Sequence, residues 1–221
     1  MIATISADIV RSTSLSIRNW MSLRVQLKGL LDDFARDYSG FWSRIVRGDS
    51  IECVVPEYKS SLRIAIIIKL FVKIQAAKYN CSELLQKYGI RFSIGIDDLE
   101  YANKKADIIS GSAIYLSGRN LDEISRRDNV YTAFELGRAS QSANEMLDSY
   151  VALVSDIVDS YSVKQSEVVF YKLLGYKEVE ISERLGIYQS SVNTRSTGAQ
   201  WNLLNKAIND FEKFDFEELC G

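Results

Sequence analysis

Three groups of residues in this 221-residue chain have types and spacings that chemistry or recognition would use. Asp8 closes an N-terminal apolar run in Ala7-Asp8-Ile9-Val10, and Asp49, in Gly48-Asp49, stands between two later apolar runs. If those runs are neighbouring strands, the two carboxylates converge. With a backbone carbonyl near Ile9 they could then hold Mg²⁺ on the phosphates of a nucleotide, because hard cations select oxygen ligands. Arg119, a lone cation on the later helical run Gly111 to Ile124, is the second. The third group is Gln189, Ser190, Ser191, Asn193, Thr194 and Arg195, short hydrogen-bonding side chains plus one guanidinium, suited to base edges and phosphates. The chain has no histidine, so the usual general base, the serine triad and every His-containing metal site are excluded. Any enzyme chemistry has to run on carboxylates. Plainer roles exist for the same residues: Asp8 as the cap of a turn, Gly-Asp as a hairpin, Arg119 as the ion-pair partner of Asp122 or Glu123.

The elements that must position these residues follow from periodicity. Residues 2 to 7 read as a strand, and Ser14 to Tyr38 as a helix on the spacing of Leu23, Leu27, Leu30, Leu31 and Phe34. Phe41 to Val46 and Ile51 to Val55 flank Arg47-Gly48-Asp49-Ser50 and predict an antiparallel hairpin. A long helix from Tyr58 to Tyr79 follows, apolar nearly all round. Its richest stretch, Ile64 to Ile74, is cut by Lys69 and Lys73 and falls short of the ~20 apolar residues of a membrane span. It therefore predicts a buried helix. Ile90 to Ile96 alternates as a strand, Gly111 to Ile124 reads as a helix and Val130 to Leu136 as a last strand. The order is β-α-β-β-α-β with an extra α-β, which predicts an α+β, ferredoxin-like antiparallel sheet covered by helices on one face, over residues 1–137.

Gly137 to Ser142 is small and polar and predicts a linker. Residues 143–221 read as all helical, starting with the stripe Met146, Leu147, Tyr150, Val151, Val154, Ile157, Val158 and Tyr161, which suits packing within the chain or across a homodimer. Helices near 165–174, 177–185 and 189–213 follow. Ile181, Leu185, Ile187 and Val192 can share one small core, with Gly186 just past a helix end, where a left-handed backbone is least costly. This is the spacing of a helix-turn-helix that exposes the face from Gln189 to Arg195 to DNA. Any tight helical corner can share that spacing, so a structural or protein-binding role is the alternative.

Bulk properties narrow the options. Against 29 Asp and Glu stand 27 Lys and Arg, a formal charge of −2, so neither nucleic acid nor membrane is coated by charge alone. Residues 163–214 hold 7 bases and 6 acids, a net +1 that asks a dimer to double the phosphate contacts. Cys53, Cys81 and Cys220 are odd in number, far apart and without a Cys-x-x-Cys pair, which points to a reducing compartment. Met1-Ile2-Ala3-Thr4-Ile5 lacks the basic head of a secretory signal. A cytoplasmic protein without a membrane partner is expected.

Several blocks carry resemblances. Ser6-Ala7-Asp8-Ile9-Val10-Arg11-Ser12-Thr13, Gly48-Asp49-Ser50 and Arg91-Phe92-Ser93-Ile94-Gly95-Ile96 resemble the catalytic domain of class III nucleotide cyclases. That resemblance implies the cyclase-type fold and a metal role for Asp8 and Asp49. It matches Arg119 to the family's transition-state arginine, while Tyr115 stands in place of its asparagine and Ile45 in place of its base-selecting lysine. A cyclase-type lyase is therefore the alternative function. Ile181 to Val192 resembles the helix-turn-helix of sigma-factor region 4 and LuxR-type regulators. Across nearly the whole chain, Asp8 to Ser12, Arg47 to Ser50, Ser117 to Asp122 and Leu185 to Val192 are similar to the SatD family and related uncharacterised regulators of Bacteroidetes-type bacteria. The likeness implies a transcriptional regulator whose first domain has the cyclase-type fold, and it names no ligand; the expected role of that domain is to sense an effector, a nucleotide being the candidate, or to dimerise.

Overall fold

The computed structural model describes residues 1–46, 48–103 and 108–220. Arg47 of the expected hairpin lies outside them. Strand β1 (Ile2–Ile9) is followed by α1 (Ile17–Asp37), the hairpin β2 (Trp42–Val46) and β3 (Ser50–Val55), then α2 (Ser61–Ala76), α3 (Glu83–Tyr88) and β4 (Ile90–Asp97). A small hairpin, β5 (Tyr101–Asn103) and β6 (Ile108–Ser110), precedes α4 (Ser112–Ser125) and β7 (Thr132–Leu136). Five strands form one sheet in the order β2-β3-β1-β4-β7. β1 is antiparallel to both β3 and β4, and β7 runs parallel to β4, so the sheet is mixed rather than antiparallel throughout.

Alternation along β1 shows how the sheet is covered. Ala3, Ile5, Ala7 and Ile9 join the main core with Leu27 and Phe34 of α1 and Leu62, Ile66 and Leu70 of α2. Thr4 and Ser6 point the other way, and their hydroxyls each lie 2.9 Å from Ser117 Oγ on α4. Helices thus cover both faces. This corrects the one-face expectation: the Ile90–Ile96 strand carries serine and glycine on its second face, and those small residues admit α4. Gly95 sits beneath it, and a Cβ there would lie 2.5 Å from the Ala113 carbonyl oxygen and 2.8 Å from the Ser117 nitrogen, both helix backbone. Gly95→Ala is expected to cost about 1–3 kcal/mol by forcing α4 off the sheet, read as a Tm lowered by about 2–4 °C per kcal/mol.

The remaining helices are α5 (Gln141–Asp159), α6 (Val163–Leu173), α7 (Glu178–Leu185), α8 (Gln189–Gly198) and α9 (Trp201–Lys213). α5 begins at Gln141, earlier than its apolar stripe indicates, because Ser140 caps it by accepting from the Ala143 amide. It seals the exposed edge of the sheet. Asp148 Oδ1 accepts from the Phe134 amide at 2.7 Å, and Asn144 both accepts from the Leu136 amide and donates to the Leu136 carbonyl, so two side chains one helical turn apart stand in for a sixth strand. The expected helix over 189–213 is two helices. Ala199 is fully buried and Gln200 is left-handed (φ 51°), which turns Leu204, Ile208 and Phe211 back into the core.

That core is continuous from Ile5 and Ile94 in the sheet to Val154, Val169, Leu204 and Phe216 in the helices. α2 lies at its centre, as its apolar run predicts, and Lys69 and Lys73 are buried within it. Lys69 Nζ meets Asp159 Oδ1 at 2.9 Å and the Ile90 carbonyl at 3.2 Å. Lys73 Nζ donates to the carbonyls of Val158, Asp159 and Tyr161 at 2.8, 3.2 and 3.3 Å, at the end of α5. Arg63 on α2 pairs with Glu212 on α9 at 2.6 Å. Among the described residues, no helix is long and apolar enough to cross a membrane.

Candidate functional site

Strand pairing brings the two candidate carboxylates to one end of the sheet. Asp8 is opposite Ser50 across β1–β3 and opposite Arg91 across β1–β4. Asp49, in the turn before β3, is held over the same end because its carbonyl accepts from the Ile9 amide at 3.2 Å. Each carboxylate accepts a serine hydroxyl: Ser50 Oγ donates to Asp8 at 2.5 Å and Ser12 Oγ to Asp49 at 2.6 Å. Burial pushes the Asp8 pKa up; the Ser50 hydroxyl pulls it back, the neighbouring charge of Asp49 raises it and Arg91 lowers it.

Both carboxylates open into a cleft of about 520 Å³ between the turn after β1 and the turn joining α4 to β7. Its cations are Arg11, Arg91, Arg126 and Arg127. Arg91 is engaged, donating through Nε to the Val130 carbonyl at 3.1 Å and lying over the Tyr131 ring, which itself stacks on Tyr88 with ring centroids 3.6 Å apart. Arg126 and Arg127 are exposed at the rim. Two rim residues, Arg11 (φ 50°) and Asn129 (φ 60°), are left-handed without being glycine.

The donor set bears on a metal. Among the described residues, no group of three or more His, Cys, Asp or Glu is placed to hold an ion. Two carboxylates beside serine and threonine hydroxyls suit Mg²⁺ that keeps waters or ligand phosphates, and do not suit an all-protein cage. Arg119 is elsewhere. It pairs with Glu135 on β7 at 2.5 Å, lies over Tyr115, and does not line the cleft; Asp122 and Glu123, its partners on the plainer reading, give way to Glu135. The cleft arginines at 126 and 127 were not singled out by the sequence, since two basic residues after a helix look like any solvated turn.

The second candidate surface is built by α6, α7 and α8. Val168, Ile181 and Val192 are fully buried together, with Leu185 and Ile187 packed on them. Gly186 is left-handed (φ 62°) and turns the chain between α7 and α8. On α8, Gln189, Ser190, Asn193 and Thr194 are exposed and Ser191 is half-buried. Thr194 Oγ1 donates to its own helix at the Ser190 carbonyl. Arg195 is half-buried and turned back toward Glu167 on α6, 3.8 Å away. Other cations of this region are also engaged: Lys172 with Glu178 at 2.7 Å, and Arg184 over the Tyr176 ring. Tyr188, just before α8 and 84% exposed, is a feature the polar pattern does not flag.

A third feature is apolar. Exposed Met146 and Leu153 on α5, with Phe214 after α9, line a groove of about 580 Å³. No family model matches this chain, and no curated protein matches it.

Proposed function

We propose that this chain is a DNA-binding transcription regulator that reads DNA with α8 and carries a cyclase-like sensor or dimerisation unit. The observation that carries the reading is the fixed corner of α7 and α8: a closed apolar core holds α8 so that Gln189, Ser190, Asn193 and Thr194 project as one polar face. Such a face can enter a major groove, where amide side chains read adenine. The unit 1–137 supports the ferredoxin-like reading through the order β2-β3-β1-β4 and its antiparallel senses, with β7 and α4 as additions. The unit 143–221 carries the helix-turn-helix, and the Arg63–Glu212 pair favours tight coupling between the two. A homodimer through the groove at Met146 and Leu153 would double the few basic contacts of each copy. Operation in the cytoplasm follows from the DNA partner and accords with free thiols at Cys53, Cys81 and Cys220.

Purified protein used to select genomic fragments at two salt concentrations should enrich one shared motif that survives the higher salt. Gln189→Ala with Asn193→Ala should lower specific affinity by about 5- to 150-fold per lost base contact, as 1–3 kcal/mol implies, with an unchanged fold. Arg195→Ala should cost less, because Arg195 faces Glu167. Absence of any enriched motif overturns the regulator reading.

A second reading rests on a separate observation, the meeting of Asp8 and Asp49 in one cleft. On it the chain binds a nucleotide with Mg²⁺, as an effector or as the substrate of a cyclase-type lyase. Failure to turn over ATP or GTP with Mg²⁺ or Mn²⁺ removes the enzyme, and nucleotide binding indifferent to Asp49→Asn removes the site.

A further inference from the structure

We propose that the cleft beside Asp8 and Asp49 binds a ligand carrying a di- or triphosphate, and that Arg126 and Arg127, with Arg11 across the cleft, grip its phosphates. The proposal rests on the second reading above for the metal and replaces Arg119 by other residues for the anion.

Four arginines line one cavity whose lining carboxylates number three, Asp8, Asp49 and Asp128. Asp8 and Asp49 are taken by serine hydroxyls, not by arginines. Arg91 is spent on the Val130 carbonyl and the Tyr131 ring. Among the described residues Arg11, Arg126 and Arg127 have no ion-pair partner within 4.0 Å. From outside the cleft, Asp148 feels the charge of Arg127, which lowers its pKa, but the two are not within 4.0 Å, and Asp148 Oδ1 accepts from the Phe134 amide. Guanidinium is the side chain whose planar donors match phosphate oxygens in pairs.

The backbone adds an independent observation. Four described non-glycine residues are left-handed, and two of them, Arg11 and Asn129, sit on opposite rims of this cleft. At Arg11 the conformation costs roughly 1–2 kcal/mol, strain that persists where a ligand site needs it, whereas asparagine adopts it readily. Arg11 lies in the turn after β1 and Asn129 in the turn that carries Arg126 and Arg127 from α4 to β7, and both turns line the cleft. The cleft lining is mostly polar, and Tyr131 is already engaged by Tyr88 and Arg91, so phosphate contacts dominate over a shelf for a base.

The test is isothermal titration of the full chain with inorganic triphosphate, ATP and GTP, each with and without Mg²⁺. Wild type should bind at least one of them, and Arg126→Gln with Arg127→Gln should weaken it by about tenfold or more with or without metal, as loss of charge-assisted pairs implies. Asp49→Asn should weaken only the Mg²⁺-dependent part. Equal affinity for triphosphate and the nucleotides assigns recognition to the phosphates alone; tighter nucleotides add a base contact. Binding unaffected by the double variant, or weakened instead by Arg119→Gln, overturns the arginine clamp while leaving the metal reading standing. No binding of any probe by folded protein overturns both.

Discussion

Asp159→Ala is expected to destabilise the protein by about 3–5 kcal/mol, because it strands a buried ammonium. Lys69 is fully buried, and among the described residues the Asp159 carboxylate 2.9 Å away is its one ion-pair partner within 4.0 Å, Asp156 adding a weaker attraction from farther off. The remaining neighbours of Lys69 Nζ are the Ile90 carbonyl and the rings of Tyr88 and Phe92, which stabilise a cation less than a carboxylate does. Burial already lowers the Lys69 pKa and raises that of Asp159, each opposed by the charge of the other. Removing one partner therefore leaves desolvation without its compensation. The measurement is the urea midpoint at pH 7, which should fall with an unchanged slope. Lys69→Met with Asp159→Leu should recover most of the loss, since replacing both charges by apolar groups is often neutral. A single-variant loss below about 1 kcal/mol would mean that water reaches the ammonium, and would sink the argument.

This pair also shows where the sequence stops being legible. The spacing of Leu23, Leu27, Leu30 and Phe34, the Gly-Asp turn and the apolar α2 are local signals, and the helices and strands they predict are present because a 3.6- or 2-residue period needs only one buried face. Lys69 and Lys73 read as interruptions of an apolar run. Asp159 and the carbonyls at and just after the end of α5 meet them from more than eighty residues later, and no local period encodes that meeting. α3 and the β5–β6 hairpin were missed because six- and three-residue elements carry too little periodicity. The break at Ala199-Gln200 lacks the glycine or proline that usually marks one, and the buried Ala199 imposes it from outside.

The sites divide along the same line. Asp8 and Asp49 could be brought together on paper because strand order follows from element order. Arg119 could be matched by its position on a helix, but the direction of its side chain depends on Glu135 of a strand that joins the sheet later. Arg126 and Arg127 line the cleft on the turn between α4 and β7, where Asn129 is left-handed, a conformation that Arg-Arg-Asp-Asn does not announce. On α8 the exposed set was legible from the four core residues that define its inner face. Arg195 was not, since Glu167 sits one helix away.

Raising the pH from about 8 toward 9.5 should stabilise wild type relative to Lys73→Met by about 2 kcal/mol. Lys73 is 1% exposed and donates to three carbonyls at the end of α5. Burial outweighs the attraction of Asp159 and, with Lys69 and Lys87 adding like charge, brings its pKa down from 10.5 to about 8. Between those two values the unfolded chain binds more protons than the native one, so native stability rises with pH. Below about 8 both states are protonated and the whole cost is present, about 3 kcal/mol for a shift of roughly 2.5 units; above 10.5 it is gone. The variant is needed because other groups titrate in the opposite sense. Burial raises the pKa of Cys53 above 9 and of Tyr131, Tyr150 and Tyr161 above 10, so their native forms hold protons that the unfolded chain has lost, and stability falls as they titrate. Those contributions cancel when wild type and Lys73→Met are compared at each pH by urea unfolding. The unbonded carbonyls left in the variant cost the same at every pH and change only the offset. A difference that stays flat from pH 7.5 to 9.5 would show that the three carbonyls hold the ammonium at its ordinary pKa, and that α2 fastens the end of α5 by a charged cap at no cost in protonation.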